Sequence, residues 1–317
     1  MKALRFDSFG PPTNLSLEEV RKPDPKPGEA LIELHAAAIN PSDVKNVAGV
    51  FKATLPRTPG RDYAGVVVAG DGWQGKQVWG SGAGFGVSRD GSHAQYVVAD
   101  LDTLSEKPQR LSMEEAAAVG VPYIAAWSAL VTAGDIRAGE TVLVTGALGA
   151  VGRAAIQIAH WRGAWVIGAD IADRASDADL FINTKSKDLP GEVKAHTAGQ
   201  GADLALDAVG GVMFESALKS LRTGGRQVAI TSSGNGRVDF SLIDFYHHEL
   251  RLIGVDTLKL SGRKIAGIMN ELRAGFEKGD LRPSPIKTWT LGEAVDAYTA
   301  VAKGDSSRKH VLLLHSV

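Results

Sequence analysis

Thr141-Val142-Leu143-Val144-Thr145 runs directly into Gly146-Ala147-Leu148-Gly149-Ala150-Val151-Gly152, and a helical stretch through Trp161 follows. The first five residues read as a short buried strand, after which the chain must turn sharply to enter the helix. Glycines meet three needs of such a turn: a tight bend, close approach of a pyrophosphate to the backbone, and tight packing of helix on strand. The free N–H groups and positive dipole end of the helix then hold the phosphates. Gly146, Gly149, Ala150, Val151 and Gly152 are therefore the candidate phosphate-binding positions. The spacing is G-x-x-G-x-x-G rather than G-x-G-x-x-G, so the reading rests on placement between strand and helix as much as on the string.

Asp170 closes the next strand, Val166-Ile167-Gly168-Ala169-Asp170. A carboxylate there accepts hydrogen bonds from both adenosine ribose hydroxyls and repels a 2′-phosphate, which favours NAD(H). NADP(H) stays open, because Arg174, Lys185 and Lys187 follow and can compensate a phosphate. Val209, Ile230 and Thr231, in or just after later strands, are the remaining cofactor candidates.

Working outward, Trp165-Val166-Ile167, Leu204-Ala205-Leu206 and Val228-Ala229-Ile230 are further short strands alternating with helical stretches. That alternation predicts an α/β fold, a doubly wound parallel sheet with helices on both faces. The first third reads differently. Leu31 to Ala37, Tyr63 to Ala69, Gln77 to Trp79 and Ala94 to Ala99 are β runs punctuated by Pro and Gly. Ser112, with Glu115 three residues on, is a capping box opening an alanine-rich helix through Val119. A helix over Lys264 to Glu277 and a last strand, Val311 to Leu314, complete the chain. The Gly-rich run Gly80 to Gly86 precedes no helix and reads as a mobile loop, not a second phosphate site.

At 317 residues the chain suits two domains. Its formal charge of −1, with no basic block, gives no electrostatic support to nucleic acid or membrane-surface binding. The longest apolar runs are strand-sized, and the N-terminus holds none of signal-peptide length, so a cytoplasmic address is expected. There is no cysteine, which removes thiolate nucleophiles and every cysteine-based zinc or iron–sulfur site. No Tyr is followed four residues later by Lys, and Gly-x-Ser-x-Gly is absent, which count against short-chain reductases and α/β-hydrolases. His247-His248-Glu249 is no metal site, since adjacent side chains point apart.

Several strings together resemble one family. They are Ile39-Asn40-Pro41-Ser42-Asp43, Pro59-Gly60-Arg61-Asp62-Tyr63-Ala64-Gly65, Gly139 to Val144 with the glycine motif, Leu206 to Gly211, Gly224-Gly225-Arg226 and Arg308-Lys309-His310-Val311-Leu312. They are similar to the zinc-independent quinone oxidoreductase branch of the medium-chain dehydrogenase/reductase superfamily. The resemblance implies a Rossmann domain, residues 116–257, inserted into a mainly β, GroES-like catalytic domain formed by residues 1–115 and 258–317. It also implies an active site in the interdomain cleft and a homodimer. The zinc ligands of metal-using relatives fall on Asn40, Arg61 and Gly120, none of which serves as a normal zinc ligand. No metal is expected.

Without a metal, the economical chemistry is hydride transfer from nicotinamide to an acceptor that delocalises its own negative charge, a quinone or another conjugated carbonyl. By resemblance Asn40 stands near the nicotinamide ribose and the carbonyl, and Asp43 supports its loop. Arg61 is either a donor to the developing oxyanion or the partner of Asp43 or Asp62 in a fixed ion pair. Related enoyl-thioester reductases carry a catalytic Tyr where Phe51 stands, and a Thr of the nicotinamide pocket is replaced by Ala125. An enoyl-thioester or alkenal reductase is therefore the alternative enzyme, and a cofactor-binding structural or regulatory protein the alternative of another class.

Overall fold

The computed structural model describes residues 1–172, 174–305 and 307–316. Two compact units emerge: Met1–Val121 with Leu258–Val317, and Pro122–Thr257.

In the contiguous unit, the strands Thr141–Thr145, Trp165–Asp170, Leu180–Asn183, Ala202–Asp207, Leu221–Ala229 and Arg251–Gly254 are all parallel. Among the described residues they form a six-stranded sheet whose spatial order is third, second, first, fourth, fifth, sixth. This is the doubly wound Rossmann order, and its direction reverses between Thr141–Thr145 and Ala202–Asp207, the crevice where such folds bind ligands. The helix Ala150–Trp161 packs Ala154, Ala155, Ile156, Ile158 and Ala159 inward, and its three buried alanines let its axis lie close to the sheet. Leu143, Ile167, Ile182, Leu189, Val193 and Leu218 belong to the core on one side of that sheet. Each such side chain contributes about 1.5–3 kcal/mol by leaving water.

The discontinuous unit holds a seven-stranded sheet, among the described residues, in the order Ile286–Thr290, Lys309–Leu313, Glu29–Ala38, Asp62–Ala69, Gln77–Gly80, Ser105–Glu106, with Tyr96–Asp100 also paired to Glu29–Ala38. This is the mainly β, GroES-like part. All pairings except the first are antiparallel. Leu4, Phe6, Ile32, Leu34, Val67, Tyr298 and Leu312 lie in its core. The chain thus enters this sheet early, leaves for the other unit, and returns to insert a late strand beside Glu29–Ala38.

Several local expectations are met and others shift. Ser112 accepts from Glu115 N and Glu115 from Ser112 N, so the capping box forms, though its helix ends at Ala117. The strand expected from Ala94 begins at Tyr96. The helix Pro41–Val47, too short to leave a periodic signal, starts with Pro at its first position. In the Gly-rich run, Gly82, Gly84 and Gly86 adopt left-handed φ, Phe85 is buried, and the Gly86 carbonyl accepts from Asn46 Nδ2 at 2.6 Å. The run is pinned to the unit beneath it.

Candidate active site

In the contiguous unit, the glycine loop shows why those residues are glycines. Gly146 has φ of +64°, open to glycine and strained for other residues. A Cβ on Gly152 would stand 2.2 Å from the Gly146 carbonyl oxygen and 2.7 Å from Ala147 Cα. A Cβ on Gly149, the N-cap, would sit 3.2 Å from the same oxygen. The first helical turn carries no acidic side chain and no side chain caps it. Arg153 N already reaches Gly149 O at 2.9 Å, so the N–H groups of Ala150, Val151 and Gly152 are those without intrahelical acceptors. This cradle fits a dinucleotide pyrophosphate.

Asp170 ends its strand beside the loop. Its oxygens accept from Leu148 N at 3.0 Å and Ile171 N at 2.7 Å. A carboxylate has about four acceptor positions, so two remain for ribose hydroxyls. Of the basic residues that could answer a 2′-phosphate, Lys187 is paired with Glu192 at 2.9 Å, and Arg174 lies close enough to Arg153 to depress the latter's basicity, after burial. Asp207 is fully buried where the sheet reverses direction. Its Oδ1 accepts from Thr145 Oγ1, Val209 N and Gly210 N at 2.7, 3.1 and 2.9 Å. Val209 is thereby held against the loop, 3.1 Å from where a Gly146 Cβ would be. Ile230 is half-buried and Thr231 exposed, both just past the strand Leu221–Ala229.

In the discontinuous unit, Asn40, Asp43 and Arg61 come together. Asn40 precedes the helix Pro41–Val47, and Asp43 on its first turn accepts from Asn40 N at 2.8 Å. Arg61 Nε donates to Asp43 Oδ1 at 3.2 Å and its Nη2 to Ser42 Oγ. Of the two ion-pair partners that Arg61 could take, it takes Asp43. Both are nearly fully buried.

Two residues that sequence reasoning did not assign to the site complete it, Asp62 and Lys309. Asp62, wholly buried, accepts from Asn40 Nδ2 at 2.9 Å, from Ser81 Oγ, and from Val121 N at 2.9 and 3.0 Å to its two oxygens. Lys309 Nζ donates to Asn40 Oδ1. Register explains that meeting. Val311 pairs with Ala38 in the antiparallel ladder and Ile39 N reaches His310 O at 2.9 Å, so continuing two residues sets Lys309 opposite Asn40. One signal was available: Lys309–Leu313 has no polar, solvent-facing alternation, so its leading Lys has no exposed face to take.

The cluster holds two carboxylates, Asp43 and Asp62, and two cations, Arg61 and Lys309, so its formal charge is balanced. Gly120 is a glycine because a Cβ there would fall 2.3 Å from Asp62 Oδ1 and 2.8 Å from Ser81 Cβ. Nearby, His93 is fully buried; its Nε2 faces Ala38 O at 3.2 Å and its Nδ1 faces Tyr298 Oη at 2.8 Å. The carbonyl requires a proton on Nε2, so Nδ1 accepts from the Tyr298 hydroxyl. Burial pushes the histidine pKa down and the tyrosine pKa well up, so both stay neutral near pH 7.

Comparison with known proteins agrees with this architecture. The family described as alcohol dehydrogenase GroES-like domain matches residues 26–109, and that described as zinc-binding dehydrogenase matches residues 150–271. A zinc-type alcohol dehydrogenase-like protein of Schizosaccharomyces pombe is 36% identical over 99% of this chain and 97% of its own length. The quinone oxidoreductase of Homo sapiens is 30% identical over 99% of this chain and 98% of its own. Among solved structures, an NAD-dependent alcohol dehydrogenase superposes with a TM-score of 0.90 at 29% identity, covering 99% of each chain. The chain belongs to the quinone-oxidoreductase-like branch of the medium-chain dehydrogenase/reductase superfamily. It is an NAD(P)H-dependent oxidoreductase of that family.

The zinc in one family's description does not fit this chain. Asn40 is held between Lys309 and Asp62, Arg61 is a cation, and Gly120 has no side chain. Among the described residues no group of three His, Cys, Asp or Glu could hold a metal ion. Among them, too, no helix is long and apolar enough to cross a membrane.

Proposed function

We propose that the protein transfers hydride from NADH to a quinone or a similarly conjugated carbonyl, with Asn40 as hydrogen-bond donor to the acceptor oxygen and Asp43 and Arg61 holding its loop. The observation that carries this reading is the buried cluster of Asn40, Asp43, Arg61, Asp62 and Lys309, in which Asn40 and Arg61 take positions that the family resemblance matches to zinc ligands. Such a cluster presents an amide rather than a Lewis acid. The suitable acceptor is one whose product anion, a hydroquinone anion or enolate, is already delocalised. The nicotinamide supplies the hydride when bound; the chain's own residues bind, orient and solvate. Val209, Ile230 and Thr231 are read as walls of the cofactor site. The outermost strand Arg251–Gly254, with exposed Leu252, and the exposed Leu242, Ile243 and Tyr246 support the homodimer reading.

Purified protein mixed with NADH and either 1,4-benzoquinone or a short enone is expected to consume nicotinamide absorbance well above the protein-free rate. Prior dialysis against a chelator should leave that rate unchanged. No turnover with any conjugated carbonyl, or loss of activity together with a stoichiometric metal, overturns the reading.

The cofactor preference has its own test. Asp170 opposes the extra phosphate of NADPH, and one hydrogen bond to a charged group contributes about 1.5–3 kcal/mol, so NADH should bind roughly tenfold more tightly or better. Asp170→Ser is expected to move the ratio of the two dissociation constants toward NADPH by about that factor. A native protein that already prefers NADPH would mean that Arg174 or Arg153 outweighs the carboxylate.

A further inference from the structure

We propose that Lys309 is a positioning residue of the active site, which together with Asp62 clamps the Asn40 carboxamide in one orientation and polarises its N–H toward the acceptor. The inference rests on the reading of Asn40 as donor and adds the groups that make it one.

A carboxamide has an acceptor at one end and a donor at the other. Here the ammonium of Lys309 lies on Oδ1 and the carboxylate of Asp62 lies 2.9 Å from Nδ2. Rotating the amide by half a turn would set N–H groups against the ammonium and the carbonyl oxygen against the carboxylate. Both contacts would become repulsive in a region where Asn40, Asp62 and Lys309 are all at most 6% exposed. Poorly solvated charges interact strongly, so the orientation is fixed. Hydrogen bonds with an ionised partner are roughly twice as strong as neutral ones, so the ammonium on Oδ1 draws electron density from the nitrogen. Nδ2 carries two hydrogens; Asp62 takes one, and the second is the donor that this polarisation strengthens.

The chemistry also explains the residue type at position 40. An aspartate there would face the Asp62 carboxylate, and an aliphatic residue would leave a buried ammonium and a buried carboxylate each short of a partner. Burial lowers the Lys309 pKa from the usual lysine range; Asp62 and Asp43 oppose that shift, and Arg61 adds to it.

The experiment measures steady-state kinetics of Lys309→Met and Lys309→Gln, each alone and combined with Asn40→Ala, using NADH with 1,4-benzoquinone and a short enone. Removing one oxyanion donor costs about 10²–10³-fold in kcat, and Lys309→Met weakens rather than removes a donor, so a loss of roughly 10- to 100-fold with modest change in KM is expected. Lys309→Gln keeps a neutral donor to Oδ1 and should lose less; it also serves if the Met variant fails to fold. In the Asn40→Ala background, either substitution at 309 should change kcat by less than about twofold, because residues that act as a unit are not additive. A merely structural lysine would cost the same in both backgrounds, and that result overturns the proposal.

A second readout does not depend on turnover. In 15N-labelled protein, the Asn40 side-chain amide hydrogens should exchange with solvent at least about tenfold faster in Lys309→Gln than in the wild type. Unchanged exchange rejects the clamp whatever the enzyme reduces. Faster exchange in a protein that reduces no acceptor keeps the clamp and rejects the substrate reading.

Discussion

Gly152→Ala is expected to weaken NADH binding by about 10- to 100-fold, the loss of one or two hydrogen bonds to a charged phosphate. The added Cβ would overlap the Gly146 carbonyl oxygen at 2.2 Å and Ala147 Cα at 2.7 Å. Both are main-chain atoms, so no side-chain rotation relieves the contact and the loop itself must move. The moved loop no longer aims the N–H groups of Ala150 and Val151 at one point. Gly149→Ala is the matched control. Its Cβ would meet the same oxygen at 3.2 Å, which a few tenths of an ångström relieves, so only a few-fold loss is expected. Isothermal titration with NADH ranks the two. Equal affinities for both variants and the wild type would place the pyrophosphate elsewhere.

Arg61→Met is expected to lower the melting temperature by on the order of 10 °C, from about 3–5 kcal/mol for removing one partner of a buried ion pair. Asp43 would then have Asn40 N as its remaining described donor, and Ser42 would lose its guanidinium partner. Methionine keeps the unbranched stem to about the position of Nε and removes the guanidinium, so charge and hydrogen-bond donors are lost together. The same variant separates the two roles of Arg61. Measured well below its melting point, a kcat near that of the wild type assigns the arginine to the scaffold alone. A further fall of about 10²-fold in kcat at unchanged KM assigns it to the oxyanion as well. The pairing with Asp43, at 6% and 2% side-chain exposure, favours the scaffold outcome.

The sequence carried much of this, but unevenly. The turn from Thr145 through Gly152 was readable because strand, loop and helix are adjacent in the chain and each glycine answers a local steric demand. The six-stranded parallel sheet followed from the alternation of strand and helix, a pattern that repeats over short distances. Asn40 and Asp43 were named from the family resemblance of Ile39-Asn40-Pro41-Ser42-Asp43, not from a helical pattern, because the helix that joins them is too short to show one. Lys309 was not readable as their partner, since it lies 269 residues from the amide it holds and only strand register brings them together. Asp62 stood in plain view beside Arg61. Which of the two carboxylates Arg61 would choose depends on Gly120, whose missing side chain lets Asp62 reach Val121 N, a fact of packing rather than of pattern. The neutral His93–Tyr298 pair is another product of burial that residue types alone do not disclose.

The late strand Lys309–Leu313 also sets an order of events during synthesis. At about 5–20 residues per second, on the order of 10–40 s separate the emergence of Val121 from that of Lys309. Throughout that interval the Ala36–Ala38 end of Glu29–Ala38 lacks its neighbour on one side, while Glu29–Glu33 already pairs with Tyr96–Asp100 there, and Asp43 and Asp62 face Arg61 as the only cation of the finished cluster yet translated. The contiguous unit, by contrast, has all six of its parallel strands by Gly254. A ribosome carrying this chain therefore displays a completed nucleotide-binding half well before the half that holds Asn40 can close. The nascent chain should gain protease resistance in two steps, the inserted segment first.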